Sequence, residues 1–290
     1  MTLEKKHNLT GWAFLAPATF LIAVFSFWPM IKALVLSFQT GKGRNMQMAG
    51  FTNYIRMFQD DVFIQSIKNT FFYFILQVPI MLVVALVLAC ILNKKDLRFK
   101  GFFRTMIFVP CTTSLVAYSI IFRSLFANNG LVNYVLVNIG ILDKPYNFLT
   151  QPFAAKMVIL LGLLWRWTGY NMVFFLSGLQ NIEYSVYEAA KIDGASAIQT
   201  FFKITVPLLK PTILLTAIMS TNGTLQLFDE SVNLTDGGPA NASISMSHYI
   251  YNLCFKYVPN FGYAAAMSFF ILLLVAVLAF IQMRVGDKRD

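Results

Sequence analysis

Polar and aromatic side chains form two clusters inside otherwise apolar stretches of this chain. The first cluster combines one arginine with indole, phenol and amide groups, and the second places two amides four residues apart, on one face of a helix. Aromatic faces and amides bind a polar ring such as a sugar reversibly, although polar groups in membrane helices also hydrogen-bond neighbouring helices. The candidate binding residues are Arg166, Trp167, Tyr170 and Asn171, with Trp165 beside them, and Asn222, Gly223 and Gln226, with Phe228 beside them.

The sequence contains no recognisable catalytic or cofactor motif. The phosphate-binding pattern G-x-x-x-x-G-K followed by Ser or Thr is missing. His7 and His248 have no metal-binding or triad partners nearby in sequence, and Cys90, Cys111 and Cys254 lack the spacing of a metal site or a disulfide framework. We therefore predict that this chain is not an enzyme, that it carries no catalytic residue, metal or cofactor, and that it acts by binding and mechanical coupling.

Long apolar runs must position the two polar clusters. Of the 290 residues, 57% are hydrophobic and 12% are charged, whereas soluble domains have about a quarter charged residues. Each run is close to the ~20 residues that a helix needs to cross a membrane. The composition predicts an all-α membrane protein with six transmembrane helices, at Gly11–Ile31, Thr70–Leu92, Thr105–Phe122, Ala154–Leu179, Pro211–Phe228 and Phe261–Met283. Pro110 is expected to kink the third helix.

Positive charges are concentrated on alternate loops between these runs. Because Lys and Arg are retained on the cytoplasmic side of a membrane, the asymmetry predicts that both chain termini lie inside. The net charge of +10 is then a signal of topology and not of a nucleic-acid partner. The residues placed inside are Lys5, Lys6, Lys94, Lys95, Arg98, Lys100, Arg104, Lys191, Lys203, Lys210, Arg284, Lys288 and Arg289, and the sparser charges outside include Lys42, Arg44, Arg56, Lys68, Lys144 and Lys256.

The chain is predicted to consist of an N-terminal part and a core. Residues 1–62 would form the first span and an external stretch whose glycines mark turns, and residues 63–284 would form the other spans. The first apolar run follows two lysines as a secretory signal does, but its length and the lack of an A-x-A site favour a retained span. Within the core, the polar cytoplasmic segment 180–210 separates the fourth and fifth spans.

Segment 180–210 has the pattern of two short helices joined by a turn. The range Glu183–Ile192 lacks Gly and Pro, Gly194 can end that helix in the left-handed conformation, and Ser196 with Gln199 forms a capping-box pattern. The residues alone leave open whether the segment docks against a protein or lies on lipid headgroups as an amphipathic helix. Small side chains that would allow close approach of a protein are those of Ala189, Ala190 and Ala195.

This segment resembles the EAA loop of ABC importer permeases. The pattern of that loop is E-A-A, three residues, G, and later I-x-L-P, and the matching residues here are Glu188-Ala189-Ala190, Gly194 and Ile204-Thr205-Val206-Pro207, with Val206 in place of Leu. The stretches YEAAKIDGA after GLQNI, FFRTMIFVP at Phe102–Pro110 and LTDGGP at Leu234–Pro239 are similar to the carbohydrate-uptake branch, which includes maltose, glycerol-phosphate and multiple-sugar permeases.

The resemblance implies the transmembrane domain of a type I ABC importer in a bacterial plasma (inner) membrane. Such a permease imports a sugar, here an oligosaccharide, by alternating access. The implied partners are a second homologous permease, two cytoplasmic ATP-binding subunits that hold ATP and Mg²⁺, and an extracellular or periplasmic solute-binding protein. The implied ATPase-coupling residues are Glu188, Ala189, Ala190, Asp193 and Gly194, and the positions that match sugar contacts of the maltose-type permease are Tyr170, Asn222, Gly223 and Gln226.

Other functions remain open from the sequence. A stand-alone secondary transporter or channel would need inverted repeats or carboxylates inside its spans, and none of the six predicted spans contains Asp or Glu. A non-transporting scaffold would not need the small-residue segment. Arg166 could meet the phosphate of glycerol phosphate instead of a sugar, pair across a subunit interface, or extend to the membrane edge, although a charge near a helix centre usually faces a bundle or a cavity.

Overall fold

The computed structural model describes residues 3–42, 45–94 and 96–286. Predictions made for Arg44, Lys95, Lys288 and Arg289 therefore fall outside the described residues, as do the side chains of Lys5, Lys6 and Lys42. The chain divides into two compact units, one of Met1–Asp60 with Ile250–Phe270, and one of Asp61–Tyr249 with Ile271–Asp290.

The first unit combines the N-terminal helices with a small β-hairpin. Its elements are α1 (Leu3–Ile22), a π-helical turn (Ala23–Phe27), α2 (Trp28–Ser37), β1 (Gln39–Lys42), β2 (Asn45–Met48), α3 (Thr52–Met57), a second π-helical turn (Asn252–Lys256) and the start of α15 (Phe261–Gly286). The strands pair antiparallel with Gln39 opposite Met48. The Asn53 amide donates to the Ser37 and Gln39 carbonyls at 2.9 and 2.8 Å, which fixes the hairpin to α2.

The hairpin corrects the prediction of an entirely helical chain. The sequence from Gln39 to Met48 lacks the alternation of apolar and polar residues that announces a strand. Its strands are each four residues long, and their pairing depends on contacts with α2 and α3 that no local pattern reveals. The chain is mostly helical, and the short sheet lies in the stretch that was predicted to contain only turns.

The second unit contains the long helices that carry the polar clusters. Its elements are α4 (Asp61–Asn93), α5 (Lys100–Thr112), α6 (Leu115–Leu125), α7 (Leu131–Asn138), α8 (Pro152–Gln180), α9 (Tyr184–Ile192), α10 (Ala197–Thr200), a π-helical turn (Phe201–Thr205), α11 (Val206–Leu208), α12 (Lys210–Leu225) and α13 (Asp229–Thr235), with the start of α14 (Met246–Tyr251) and the end of α15. Helix α4 packs along α8, where Ala85 and Ala89 are fully buried against Phe175. Small residues let membrane helices approach closely.

Four helices in the described part of the chain are long and apolar enough to cross a membrane, and two bent helix pairs would bring the number to six. The four are Thr10–Ser37, Asp61–Asn93, Pro152–Gln180 and Phe261–Gly286. The bent pairs are Lys100–Thr112 with Leu115–Leu125, at 98°, and Ala197–Leu208 with Lys210–Leu225, at 71°. Six spans therefore require that each bent pair crosses the membrane as one broken unit.

The bend between α5 and α6 replaces the predicted continuous span Thr105–Phe122. Pro110 lies in the last turn of α5, but the break follows it, because Thr113 adopts an extended conformation with ψ of 140°. The hydroxyls of Thr112 and Thr113 donate back to the Val109 carbonyl at 2.8 and 3.2 Å, which satisfies a carbonyl at the open helix end. A proline kink was expected, and the observed change of direction is far larger.

The two short helices predicted in segment 180–210 are confirmed. Helix α9 ends at Ile192, and Gly194 follows with φ of +76°, the left-handed conformation expected after a helix end. The capping box of α10 is complete, since Ser196 Oγ accepts from the Gln199 amide at 3.3 Å and Gln199 Oε1 accepts from the Ser196 amide at 2.8 Å.

Candidate functional site

A cavity of about 410 Å³ lies between α8 and α12 in the second unit. Helix α8 contributes aromatic, amide and guanidinium groups, α4 contributes an amide and a thioether, and the start of α13 contributes two carboxyl groups. Its walls are formed by Gln77, Met81, Leu115, Leu163, Arg166, Trp167, Tyr170, Asn171, Met219, Ser220, Gly223, Thr224, Gln226, Leu227, Phe228, Asp229 and Glu230. A polar solute with some apolar surface would match this mixture of groups.

The cavity brings together most residues of the two predicted clusters. Of the candidate substrate contacts, Arg166, Trp167, Tyr170, Asn171, Gly223 and Gln226 line it. Asn222 is not part of the lining, and its side-chain carbonyl accepts a hydrogen bond from Gln226. Trp165 points elsewhere and stacks on Tyr118, with ring centroids 5.9 Å apart. Asn222 therefore orients Gln226 in this conformation and does not face the cavity itself.

Buried hydrogen bonds fix the amides that surround the cavity. Thr224 Oγ1 donates to Gln77 Oε1 at 2.6 Å, and Ser220 Oγ donates to Asn171 Oδ1 at 3.2 Å. The Met81 sulfur accepts from both the Gln77 and the Asn171 amide at 3.5 Å. Sequence reasoning missed Gln77, although it is the one glutamine in the predicted span Thr70–Leu92, and an isolated polar group in a membrane helix needs a partner.

Arg166 is buried at the cavity wall with only 6% of its surface exposed. Its guanidinium carbon lies 5.5 Å from the ring centroids of Tyr118 and Trp167, at cation–π range. Its Nε and Nη1 atoms have no hydrogen-bond partner among the described residues. Such burial is inconsistent with a side chain that extends to the membrane edge, and it leaves two buried donors at the cavity wall without a protein partner among the described residues.

Glu230 is the main lining residue that the sequence did not indicate. It lies two residues beyond the predicted fifth span, Pro211–Phe228, and the structure buries it at 4% exposure as the second residue of α13. Burial raises the pKa of its carboxyl above the ordinary value, and the Arg166 guanidinium and the Trp167 indole oppose that rise. Only the return of α13 toward α8, which is a tertiary feature, places this carboxyl beside the cavity.

His248 occupies a second buried polar cluster that the sequence also concealed. Its Nδ1 lies 2.9 Å from Ser231 Oγ, and its Nε2 lies 3.6 Å from Asp236 Oδ1. The arrangement resembles a catalytic triad in composition only, because Ser231 is fully buried and donates to the Ser243 carbonyl at 3.0 Å. A buried, bonded hydroxyl cannot reach a substrate, so the cluster holds the connection between α13 and α14. Among the described residues no group of His, Cys, Asp or Glu could hold a metal ion.

Helix α9 presents the predicted coupling residues at the surface with one exception. Glu188, Ala189, Asp193 and Gly194 are exposed, whereas Ala190 is buried at 6% exposure and packs within the chain. The sequence had suggested that the small side chain of Ala190 faces a partner protein. In the structure this side chain is instead turned toward the rest of the chain. A cavity of about 490 Å³ separates α9 from the ends of α4 and α8, and the Tyr187 hydroxyl accepts from Thr205 across it at 3.4 Å.

Two apolar residues near the turn add to this surface and were missed from the sequence. Ile192 is 86% exposed and Ile198 is 72% exposed, on either side of Gly194. Exposed apolar side chains of this kind occur at protein contacts and at membrane surfaces alike. We use the term α9 surface for Glu188, Ala189, Ile192, Asp193 and Ile198.

This chain belongs to the family of binding-protein-dependent transport system inner membrane components, whose family model matches residues 61–289. The resemblance to ABC importer permeases is thereby confirmed. The lactose transport system permease protein LacF of Rhizobium radiobacter is 51% identical over 290 residues, which covers 99% of this chain and 97% of that protein. The arabinooligosaccharides transport system permease protein AraP of Halalkalibacterium halodurans is 30% identical over 285 residues, which covers 97% of this chain and 89% of that protein.

The fold is also found in a solved importer. A crystal structure of a bacterial alginate ABC transporter, in complex with an alginate pentasaccharide-bound periplasmic protein, matches with a TM-score of 0.85 and 25% sequence identity, over 98% of this chain and 96% of the matched chain. The chain thus has the type I importer permease fold that the sequence predicted.

Proposed function

We propose that this chain is a permease subunit of an ATP-driven importer for a neutral disaccharide or oligosaccharide, with lactose as the first substrate to test. The observation that carries the proposal is the cavity between α8 and α12, where indole, phenol and amide groups converge. Sugars are bound by such combinations of ring faces and hydrogen-bonding amides. The name of the 51% identical relative supports lactose in particular.

The proposed assembly contains a second, homologous permease that completes the pathway, two cytoplasmic ATPase subunits that hold ATP and Mg²⁺, and an extracellular or periplasmic solute-binding protein. The chain lies in the bacterial inner membrane with both termini in the cytoplasm, and residues 63–284 form its permease core. This arrangement is supported by the family description, which names binding-protein dependence, and by the alginate transporter, whose crystal structure includes a pentasaccharide-bound periplasmic protein.

In this proposal the α9 surface transmits the motion of an ATPase subunit to the permease. Closure of the ATPase pair around ATP would move α9, and the connected helices α8 and α12 would alternate between inward- and outward-facing states. A ligand can shift such an equilibrium only through different contacts in the two states. The exposed residues Glu188, Ala189, Asp193 and Gly194 would supply the contacts at this end.

Glycerol phosphate is a weaker candidate for the same cavity. Arg166 would attract its phosphate, but the lining also contains the carboxyl groups of Asp229 and Glu230. Like charges in a partly buried site repel strongly, since the effective dielectric constant is well below that of water. A solute without net charge therefore fits the cavity better than an anion.

Replacing Trp167 with leucine should raise the KM for lactose uptake about tenfold, equivalent to about 1.4 kcal/mol of lost binding. The reason is that the substitution removes a ring that lines the cavity. The measurement is ATP-dependent uptake of labelled lactose into proteoliposomes that contain this chain with its partner permease and ATPase subunits.

The matched control is Trp165→Leu, because Trp165 is only two residues away and stacks on Tyr118 outside the cavity. It should raise the KM less than Trp167→Leu does, because the Trp165 ring does not line the cavity. Lactose uptake that needs no ATP would favour a secondary transporter, and no lactose uptake by the wild-type complex would refute the substrate assignment.

A further inference from the structure

A buried guanidinium, that of Arg166, and a buried carboxyl group, that of Glu230, line the same cavity without forming an ion pair. We propose that Arg166 and Glu230 bind one hydroxyl-bearing edge of a neutral saccharide between them, and that Glu230 excludes sugars that carry a carboxylate at that edge. The inference rests on the proposed sugar-import function and adds to it the residue that distinguishes neutral from acidic substrates.

The first observation is the unsatisfied guanidinium. Arg166 is 6% exposed, and its Nε and Nη1 atoms have no hydrogen-bond partner in the described part of the chain. The rings of Tyr118 and Trp167 hold the guanidinium at 5.5 Å but accept no conventional hydrogen bond from it. A buried charged donor without a partner is costly, so a solute that supplies an acceptor would be bound favourably.

The second observation is the carboxyl group on the same cavity. Glu230 is 4% exposed and lines the cavity together with Arg166. No ion pair between Arg166 and Glu230 is found in the described part of the chain. Both side chains nevertheless line the same cavity, so a solute in the cavity can lie between them. A gap is therefore left between a donor and an acceptor.

A hydroxyl is the group that suits a position between Arg166 and Glu230. A guanidinium only donates hydrogen bonds and an ionised carboxylate only accepts them, whereas a hydroxyl does both. One sugar hydroxyl, or a pair on neighbouring carbons, can thus accept from Arg166 and donate to Glu230 at once. A sugar carboxylate at this place would satisfy Arg166 but would be repelled by Glu230 in its ionised form, which Arg166 and the Trp167 indole favour against the effect of burial.

The neighbouring indole gives the sugar ring a fixed position. The Arg166 guanidinium carbon lies 5.5 Å from the Trp167 ring centroid, and Trp167 lines the cavity together with Glu230. Tyr170 meets Trp167 edge to face, with ring centroids 5.9 Å apart, on the same cavity wall. A pyranose that packs on these rings would have its hydroxyl edge directed toward Arg166 and Glu230.

The test compares equilibrium binding of two sugars to the purified membrane complex without its solute-binding protein, by saturation-transfer NMR. The probes are lactose and its analogue with a carboxylate at C6 of the galactosyl ring. We expect the wild-type complex to prefer lactose, so that the dissociation constant of the acidic analogue divided by that of lactose is well above one. Glu230→Gln should reduce this ratio by about tenfold or more, because the amide no longer repels the carboxylate. Arg166→Gln should weaken the binding of lactose by about tenfold, because it removes the donor.

The control is Asp143→Asn, which removes an exposed carboxylate outside the cavity and outside α13. It should leave the ratio unchanged. If Glu230→Gln does not assemble, Glu230→Asp serves instead, because it keeps the charge but withdraws the carboxylate, and it should weaken lactose binding while the acidic analogue stays excluded.

An unchanged ratio in Glu230→Gln, unchanged lactose binding in Glu230→Asp, or a wild-type complex that binds both sugars equally would each overturn the inference. The proposed function is judged separately, by ATP-dependent lactose uptake into proteoliposomes. Uptake that persists with an unchanged ratio would refute only the role of Glu230, whereas a wild-type complex without uptake would refute the function itself.

Discussion

Substituting Gly194 with aspartate should reduce ATP-dependent sugar uptake by about tenfold or more, equivalent to at least about 1.4 kcal/mol of lost coupling. Gly194 lies just after the end of α9 with φ of +76°, and a Cβ built there would meet no atom within 4 Å. The folded chain can therefore accommodate the side chain, with a backbone cost of about 1–2 kcal/mol for the left-handed conformation. A new carboxylate next to Asp193 and near Glu188 would change the charge of the α9 surface where we expect an ATPase subunit to dock.

The matched control is Gly140→Asp. Gly140 has φ of +75° and equally open space, but it follows α7, away from segment 180–210. Both variants carry the same backbone strain and the same added charge, and only Gly194→Asp should lose uptake and co-purify with less ATPase subunit. Equal uptake and equal ATPase recovery in the two variants would contradict docking at α9.

The structure of segment 180–210 could be predicted because its signals are local. A helix end needs a residue that tolerates a positive φ, and Gly194 supplies it within one turn of α9. The capping box of α10 involves side chains three residues apart, Ser196 and Gln199, so its hydrogen bonds follow from spacing alone. The burial of Ala190 could not be predicted in this way, because it depends on which face of α9 turns toward the rest of the chain.

The cavity was predictable in part for a different reason. Polar residues inside apolar spans are conspicuous, and helical spacing collects Arg166, Tyr170 and Asn171 from one helix onto one wall. Glu230 was missed because it lies beyond the end of α12, in a stretch that looks like any external connection. Its place beside the cavity depends on the turn at Gln226–Phe228 and on the packing of α13 against α6 and α8.

The 98° bend between α5 and α6 was equally hidden from the sequence. A proline near a helix end is compatible with a kink, a break or a nearly straight span, and hydropathy along Thr105–Phe122 does not distinguish these outcomes. The contact that accompanies the break is long-range, since the backbone of α5 passes directly against α8 at Gly169. That contact leads to the prediction with the largest expected effect on folding.

Replacing Gly169 with alanine should sharply reduce the amount of folded permease. A Cβ at this position would overlap the Ile107 carbonyl oxygen and lie 2.7 Å from its carbonyl carbon. These are backbone atoms, so no rotation of a side chain can relieve the overlap, and α5 must move away from α8. Overpacking of this kind costs about 1–3 kcal/mol or more, which exceeds the gain of about 1 kcal/mol from replacing a helical glycine by alanine.

The measurement is the yield and the thermal unfolding midpoint of the purified complex in detergent, with Gly101→Ala as the control. Gly101 also lies in a helix, α5, but a Cβ there would meet nothing within 4 Å, so that variant should be as stable as the wild type or slightly more stable. A Gly169→Ala complex that matches Gly101→Ala in both yield and midpoint would mean that α5 and α8 are not in backbone contact. Close packing of the Ile107 backbone against Gly169 could then not be what holds α5 in place before the bend between α5 and α6.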